Sequence, residues 1–180
     1  MQKALGFVKR HPISILFAGV TVFLMAFIYS FSAEASAESN ATSAGVCYFI
    51  STIFVKGFTD LPLSLQEARI QELVPIVRKI AHLSIYAALG FFAYLTQSAF
   101  VLELKRNVKK GKTAVCATAF SLLYAISDEV HQLFVEGRNG NAIDVFIDLS
   151  GALVGVVFAF VIILLFAKWQ TKRCQKNKIL

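Results

Sequence analysis

An uncharged apolar run long enough to cross a bilayer leaves a chain few options. Backbone N–H and C=O groups inside hydrocarbon must satisfy one another, which only helices and closed barrels achieve. Ile13 to Phe31 is such a run of 19 residues, Ala114 to Ser127 holds no charge, and Val145 to Ala167 holds only Asp148. Arg78 to Leu102 is apolar beyond its first turns. A spanning helix needs about 20 residues, so the reading is an all-α, polytopic membrane helix bundle with four transmembrane helices. The composition, 57% hydrophobic, agrees. A formal charge of +7 would point to nucleic acid in a soluble chain. Beside membrane spans it points instead to loops facing anionic lipid, and nucleic acid drops out as a partner. Cys47, Cys116 and Cys174 lie far apart and imply no disulfide framework.

Along the chain, Lys3, Lys9 and Arg10 precede the first run, and residues 32 to 43 read as a small, polar linker with Glu34 and Glu38. A cleaved signal peptide would share the basic start and an Ala-x-Ala site. Nineteen apolar residues suit a full span better, so a retained first helix is the expectation. Gly45 to Phe58 reads as a short amphipathic helix broken at Gly57 and Pro62. Ser64 and Glu67 have capping-box spacing, which predicts a second short helix to about Val74. Both short helices are expected on the outer membrane surface. The units are then 1–43, first helix and linker; 44–167, three further spans; and 168–180, a basic tail.

Charge orients the spans. With both termini in the cytoplasm, three basic residues fall at the start, five between Glu103 and Lys112 and five in the tail, thirteen of the eighteen, with Glu103 the one acidic residue among them. That asymmetry is the positive-inside pattern. It predicts a multi-pass protein of the cell membrane whose 128–148 stretch faces outside.

Counting at about 1.5 Å per residue from the cytoplasmic charges places polar groups by depth. His82 lies about 31 Å from Glu103, Asp128 about 24 Å from Lys112 and Asp148 about 30 Å from Lys168, with Tyr86 one turn deeper than His82. Within each helix, Arg78, His82 and Tyr86 share a face, with Lys79 beside them. Asp128 shares a face with Gln132, as does Asp144 with Asp148, and Glu129 stands three before Gln132. Gly151 and Gly155 form a small-xxx-small pair for close helix approach. With Arg138, these polar residues predict a mouth at the outer edge of the bundle. Asp148 is expected to pair there with Lys79 or Arg138. Free donors at the start of the fourth helix, beside Arg138, suggest an anion site.

Ionisable residues at membrane depth read by default as functional. The competing reading is a satisfied network that only fixes the helices, but more charge gathers here than that requires. His131 points off the shared face, and Cys116 reads as core. No spacing is diagnostic of a metal, no cofactor is expected and no catalytic residue is assigned.

The runs Arg78-Lys79-Ile-Ala-His82-Leu-Ser-Ile-Tyr86-Ala-Ala-Leu-Gly90, Asp128-Glu129-Val-His-Gln132-Leu-Phe134-Val-Glu-Gly137-Arg138 and Asp144-Val-Phe-Ile-Asp148-Leu-Ser-Gly151 resemble the motifs of the VanZ-like family, named after a teicoplanin-resistance protein, over about residues 44–167. Asp148 stands where the family usually has Asn, and Glu136 where Pro is common. The resemblance implies a cell-envelope role, in some members lowered susceptibility to lipoglycopeptides, and no mechanism.

The expected function is binding or remodelling of a phosphorylated lipid or lipid-linked cell-wall precursor. Membrane lipids and a lipoglycopeptide are then candidate partners, and Lys79 and Arg138 would meet the phosphate. The alternative is an intramembrane enzyme using Asp128, Glu129, Asp144, Asp148 and His82 as acid and base or as metal ligands, with Ser127 and Ser150 bordering the site but in no nucleophile turn. A transporter is third, since four short-looped spans give little room for alternating access.

Overall fold

The computed structural model describes residues 11–106 and 108–176, without the side chains of residues 171, 172 and 174–176. Lys3, Lys9, Arg10 and Lys178, which the topology argument used, lie outside the described residues, as does the side chain of Cys174. Among the described residues the chain forms helices α1 (Pro12–Ser32), α2 (Ser36–Phe54), α3 (Leu63–Glu103), α4 (Lys110–Gln132) and α5 (Ala142–Lys176), with a 3-10 turn at Phe58–Asp60. The helices α1, α3, α4 and α5 are long and apolar enough to cross a membrane. The all-α, four-span architecture is therefore as expected.

Three boundaries differ from expectation, each for a physical reason. α5 runs on through Lys176, so the basic residues expected in a separate tail from 168 continue the helix, Lys and Arg being good helix formers. The other two lie nearer the start of the chain. The polar linker is helical: α2 begins at Ser36 and runs unbroken through Gly45. Ala37, Ala41, Ala44 and Glu38, good helix formers, are interspersed among its serines. The helix also has a core to pack on, with Cys47 buried against Phe58, Ile70 and Val74. Burial pushes the Cys47 thiol pKa up, so it behaves as an apolar packing group.

The second short helix is not a separate element. It is the start of α3, whose 41 residues run through Pro75 without a break. Pro62, extended at the N-cap position, starts the helix there. The expected Ser64–Glu67 capping box does not form. Gln66 folds back instead, its Nε2 donating to the carbonyls of Leu61 at 2.8 Å and Thr59 at 3.4 Å. Pro75 removes one helical hydrogen bond at an exposed position, where water can serve the freed carbonyl. At about 61 Å, α3 is twice the hydrocarbon thickness, so its first turns extend past the span and carry α2 with them.

Small residues let the spans approach. α3 packs most extensively on α5. A Cβ added at Gly90 would overlap Ala152, and one added at Gly151 or Gly155 would overlap the backbone of Leu83 or Ala87. The expected close approach at the Gly151–Gly155 pair is thus present, with α3 as the partner. On α1, Ser14, Thr21 and Ile28 recur every seventh residue on the buried face. Thr21 shares a hydrogen bond with Thr96 at 3.1 Å, and the Tyr124 hydroxyl donates to the Met25 carbonyl at 2.6 Å. α1 is therefore built into the bundle on both sides. Cys116 is exposed on the outer surface of α4, so it is not core as expected.

Candidate functional site

α1 and α3 are antiparallel, since Glu103 at the end of α3 accepts from the first backbone N–H groups of α1, Ile13 at 3.0 Å and Ser14 at 3.2 Å. At the opposite end of the bundle the polar residues of α3, α4 and α5 meet, and they meet at the depths that residue counting gave. His82 Nδ1 lies 3.3 Å from Asp148 Oδ1. The Tyr86 hydroxyl donates to Asp128 Oδ2 at 3.3 Å, and Gln132 Nε2 donates to the same oxygen at 3.4 Å. Asp128, Glu129, Gln132 and Asp148 are all buried.

Two sequence expectations about charge are corrected. Asp148 does not pair with Lys79 or Arg138: its neighbour is His82, while Lys79 is exposed. Arg138 is committed elsewhere, because its Nε donates to the Glu34 carbonyl at 2.9 Å and its Nη2 to the Phe31 carbonyl at 2.8 Å. Its planar fork thus caps the end of α1, the use of arginine that lysine cannot imitate. Burial pulls its pKa below the ordinary arginine value, and Arg78 acts in the same direction.

The anion site at the start of α5 is also absent. Asn141 N–H donates to Glu129 Oε2 at 2.8 Å, and Ile143 N–H is met by the Asn141 side chain at 3.0 Å. The Asp144 N–H is met by the Asn141 carbonyl at 3.0 Å, so three donors at that helix start are already bonded within the protein.

Above the buried layer a polar cavity of about 240 Å³ opens, lined by Arg78, Lys79, His82, Glu129, Gln132, Arg138 and Asp144 from the expected set. Tyr86, Asp128 and Asp148 sit beneath it. Ser36 and Pro75 also line it, and sequence reasoning missed both because their segments read as a linker and a separate helix. A second cavity of about 440 Å³ adjoins, lined by apolar side chains of α1, α2 and α3 such as Phe27, Val46, Val77 and Ile85. Arg78, His82 and Arg138 line both.

One oxygen from each of Asp128, Glu129 and Asp148 forms a cluster suited to a metal ion, a grouping that no sequence spacing revealed. Ser127 and Ser150 donate their hydroxyls to the carbonyls of Tyr124 and Phe146, each at 2.7 Å. Neither is poised as a nucleophile. His131 stacks on Tyr29, with ring centroids 4.6 Å apart, and stands apart from the site as expected.

The family model described as VanZ/LLP1 matches residues 17–166. The chain belongs to the VanZ-like family. The match begins inside α1, well before residue 44, where the motif resemblance was read to start. No curated protein and no solved structure matches the chain. In this VanZ-like protein the motif residues of α3, α4 and α5 are the ones that form the polar layer and its cavity.

Proposed function

We propose that the protein binds a phosphorylated lipid, headgroup in the polar cavity and acyl chain in the apolar one. The observation that carries this reading is the junction of the two cavities at Arg78, His82 and Arg138, a shape and polarity that suit an amphiphile. Arg78 and Lys79 supply the charge for the phosphate: Arg138 directs its Nε and Nη2 to α1, while Arg78, exposed enough to turn, spends one Nη1 donor on Asn40. Charge-assisted hydrogen bonds to a phosphate are the strong kind. The basic residues that follow α3 and that cluster in the last turns of α5 favour a cytoplasmic side for those ends by the positive-inside rule, and with that orientation the cavity faces the outer leaflet. A lipid-linked cell-wall precursor is a phosphorylated amphiphile of this type, and a lipoglycopeptide shares with it the acyl chain and polar head. A role in glycopeptide resistance is consistent with that chemistry.

The test is retention of phosphatidic acid against diacylglycerol by the full chain in detergent, read by native mass spectrometry. Wild type should prefer phosphatidic acid. Lys79→Ala and Arg78→Ala should each weaken it about tenfold, the loss of one charged hydrogen bond, and Ala81→Trp, which fills the apolar cavity, should weaken both lipids. Equal retention of both lipids by all four proteins refutes the proposal.

A further inference from the structure

Asp128, Glu129 and Asp148 each present an oxygen, and the three oxygens lie within 4.8 Å of one another. The residues are 4%, 6% and 0% exposed. Their surroundings separate them. Asp128 accepts from Tyr86 and Gln132, and Glu129 accepts from the Asn141 backbone. Asp148 accepts no hydrogen bond at either oxygen. Its neighbour, His82 Nδ1, lies 3.3 Å from Oδ1 and offsets part of the charge of this one carboxylate. Oδ2 has no such neighbour. Among the described residues no lysine or arginine forms an ion pair with any of the three carboxylates. A buried charge is paired or coordinates a metal, and a buried polar atom without a partner in an otherwise bonded layer calls for one, an ion being the partner that also answers the excess negative charge.

We propose that Asp128, Glu129 and Asp148 hold a divalent, oxygen-preferring cation between α4 and α5, with His82 at its edge and water from the polar cavity completing its shell. Carboxylate oxygens suit Ca²⁺, Mg²⁺ and Mn²⁺ rather than the thiophilic metals. Size narrows the choice. An ion touches two ligands only if they are no further apart than twice the bond length, about 4.1 Å for Mg²⁺ and about 4.6–5.2 Å for Ca²⁺. A spread of up to 4.8 Å exceeds the Mg²⁺ limit and falls in the Ca²⁺ range, so Ca²⁺ asks for the smaller adjustment of the side chains. The cation cancels charge that three buried carboxylates would otherwise share with protons, and it ties α4 to α5. It does not depend on what fills the cavity above.

The experiment uses the full chain, stripped with a chelator and held in a neutral detergent without lipid. Equilibrium dialysis with ⁴⁵Ca²⁺ should give one saturable site per chain, with Mg²⁺ a weak competitor, and Ca²⁺ should raise the melting temperature. The isosteric changes Asp148→Asn and Glu129→Gln should each weaken Ca²⁺ binding by about tenfold or more, because affinity at such sites follows ligand charge. Glu38→Gln, exposed on α2, and Lys79→Ala should bind Ca²⁺ as wild type does. Absence of saturable binding by folded wild type, or wild-type affinity in both isosteric variants, overturns the proposal. Lys79→Ala separates this site from the lipid site, since it is expected to lose phosphatidic acid and keep Ca²⁺.

Discussion

His82 on α3 and Asp148 on α5 meet with Nδ1 and Oδ1 3.3 Å apart, the carboxylate fully buried and the imidazole 29% exposed. The pair inverts the order of importance that charge counting suggests. Removing one partner of a buried pair costs about 3–5 kcal/mol, and partial exposure of His82 lowers that to about 1–3 kcal/mol. An exposed charge such as Lys79 contributes about 0–1 kcal/mol. With chelator present, His82→Ala should therefore lower the melting temperature in detergent more than Lys79→Ala. Asp148→Asn, which removes the charge and keeps the shape, should melt at or above wild type. A Lys79→Ala protein less stable than His82→Ala contradicts the pairing.

The contact between α3 and α5 makes a second prediction. At Gly90, Gly151 and Gly155 an added Cβ overlaps the backbone of the facing helix, not the movable end of a side chain. Alanine at any of them should destabilise by about 1–3 kcal/mol or more, the usual cost of overpacking. At Gly19 and Gly45 nothing lies within 4 Å of the added Cβ. Alanine there should be neutral or stabilise by up to about 1 kcal/mol through helix propensity. Folded yield and thermal unfolding of the five variants check this, and a Gly155→Ala protein as stable as Gly45→Ala contradicts it.

These residues also show what was legible in the sequence. Depth followed from residue counting because helical rise is fixed, so Tyr86 with Asp128 and His82 with Asp148 could be matched across helices before any fold was known. The Gly151–Gly155 pair announced a close contact but not its partner. The fate of Arg138 was hidden, because its acceptors are carbonyls at the end of α1, more than 100 residues away, and main-chain acceptors leave no trace in composition. The same holds for Asn141 and Glu129, whose hydrogen bond removes the expected anion site. Local signals misled at the helix end expected near Val74, where the exposed Pro75 leaves its freed carbonyl to water, and in the serine-rich first half of α2, where packing on the Cys47 core outweighed the linker tendency.

Arg138 makes a prediction of its own. Two of its donors, Nε and Nη2, hold the carbonyls of Glu34 and Phe31, and Gly137 beside it has φ 71°, a left-handed conformation that favours glycine. Lysine keeps the charge but cannot grip two carbonyls in one plane. Arg138→Lys should therefore loosen the 133–141 turn almost as much as Arg138→Ala does. Hydrogen exchange should show faster exchange over residues 133–141 and at the end of α1 in both variants, with the middle of α4 unchanged. Protection in Arg138→Lys equal to wild type would mean that charge, not the fork, holds the turn.

At the other end of the bundle, Glu103 closes α1 onto α3. Its Oε1 accepts from the Ile13 and Ser14 N–H groups, and its Oε2 accepts from the Ser14 hydroxyl and lies 3.2 Å from His11 Nδ1. A helix start leaves backbone donors without intrahelical partners, and α1 has no capping side chain of its own. A carboxylate from another helix takes that place, favoured also by the positive end of the helix dipole. Because the cap is supplied across the bundle, its loss should separate two helices as well as fray one. Glu103→Gln retains one acceptor oxygen and should show a small effect, while Glu103→Ala should expose the start of α1. Limited proteolysis in detergent reads this as faster cleavage near Pro12 with the rest of the bundle protected. If Glu103→Ala is cleaved no faster than wild type, packing along the Ser14, Thr21 and Ile28 face alone holds α1 in place.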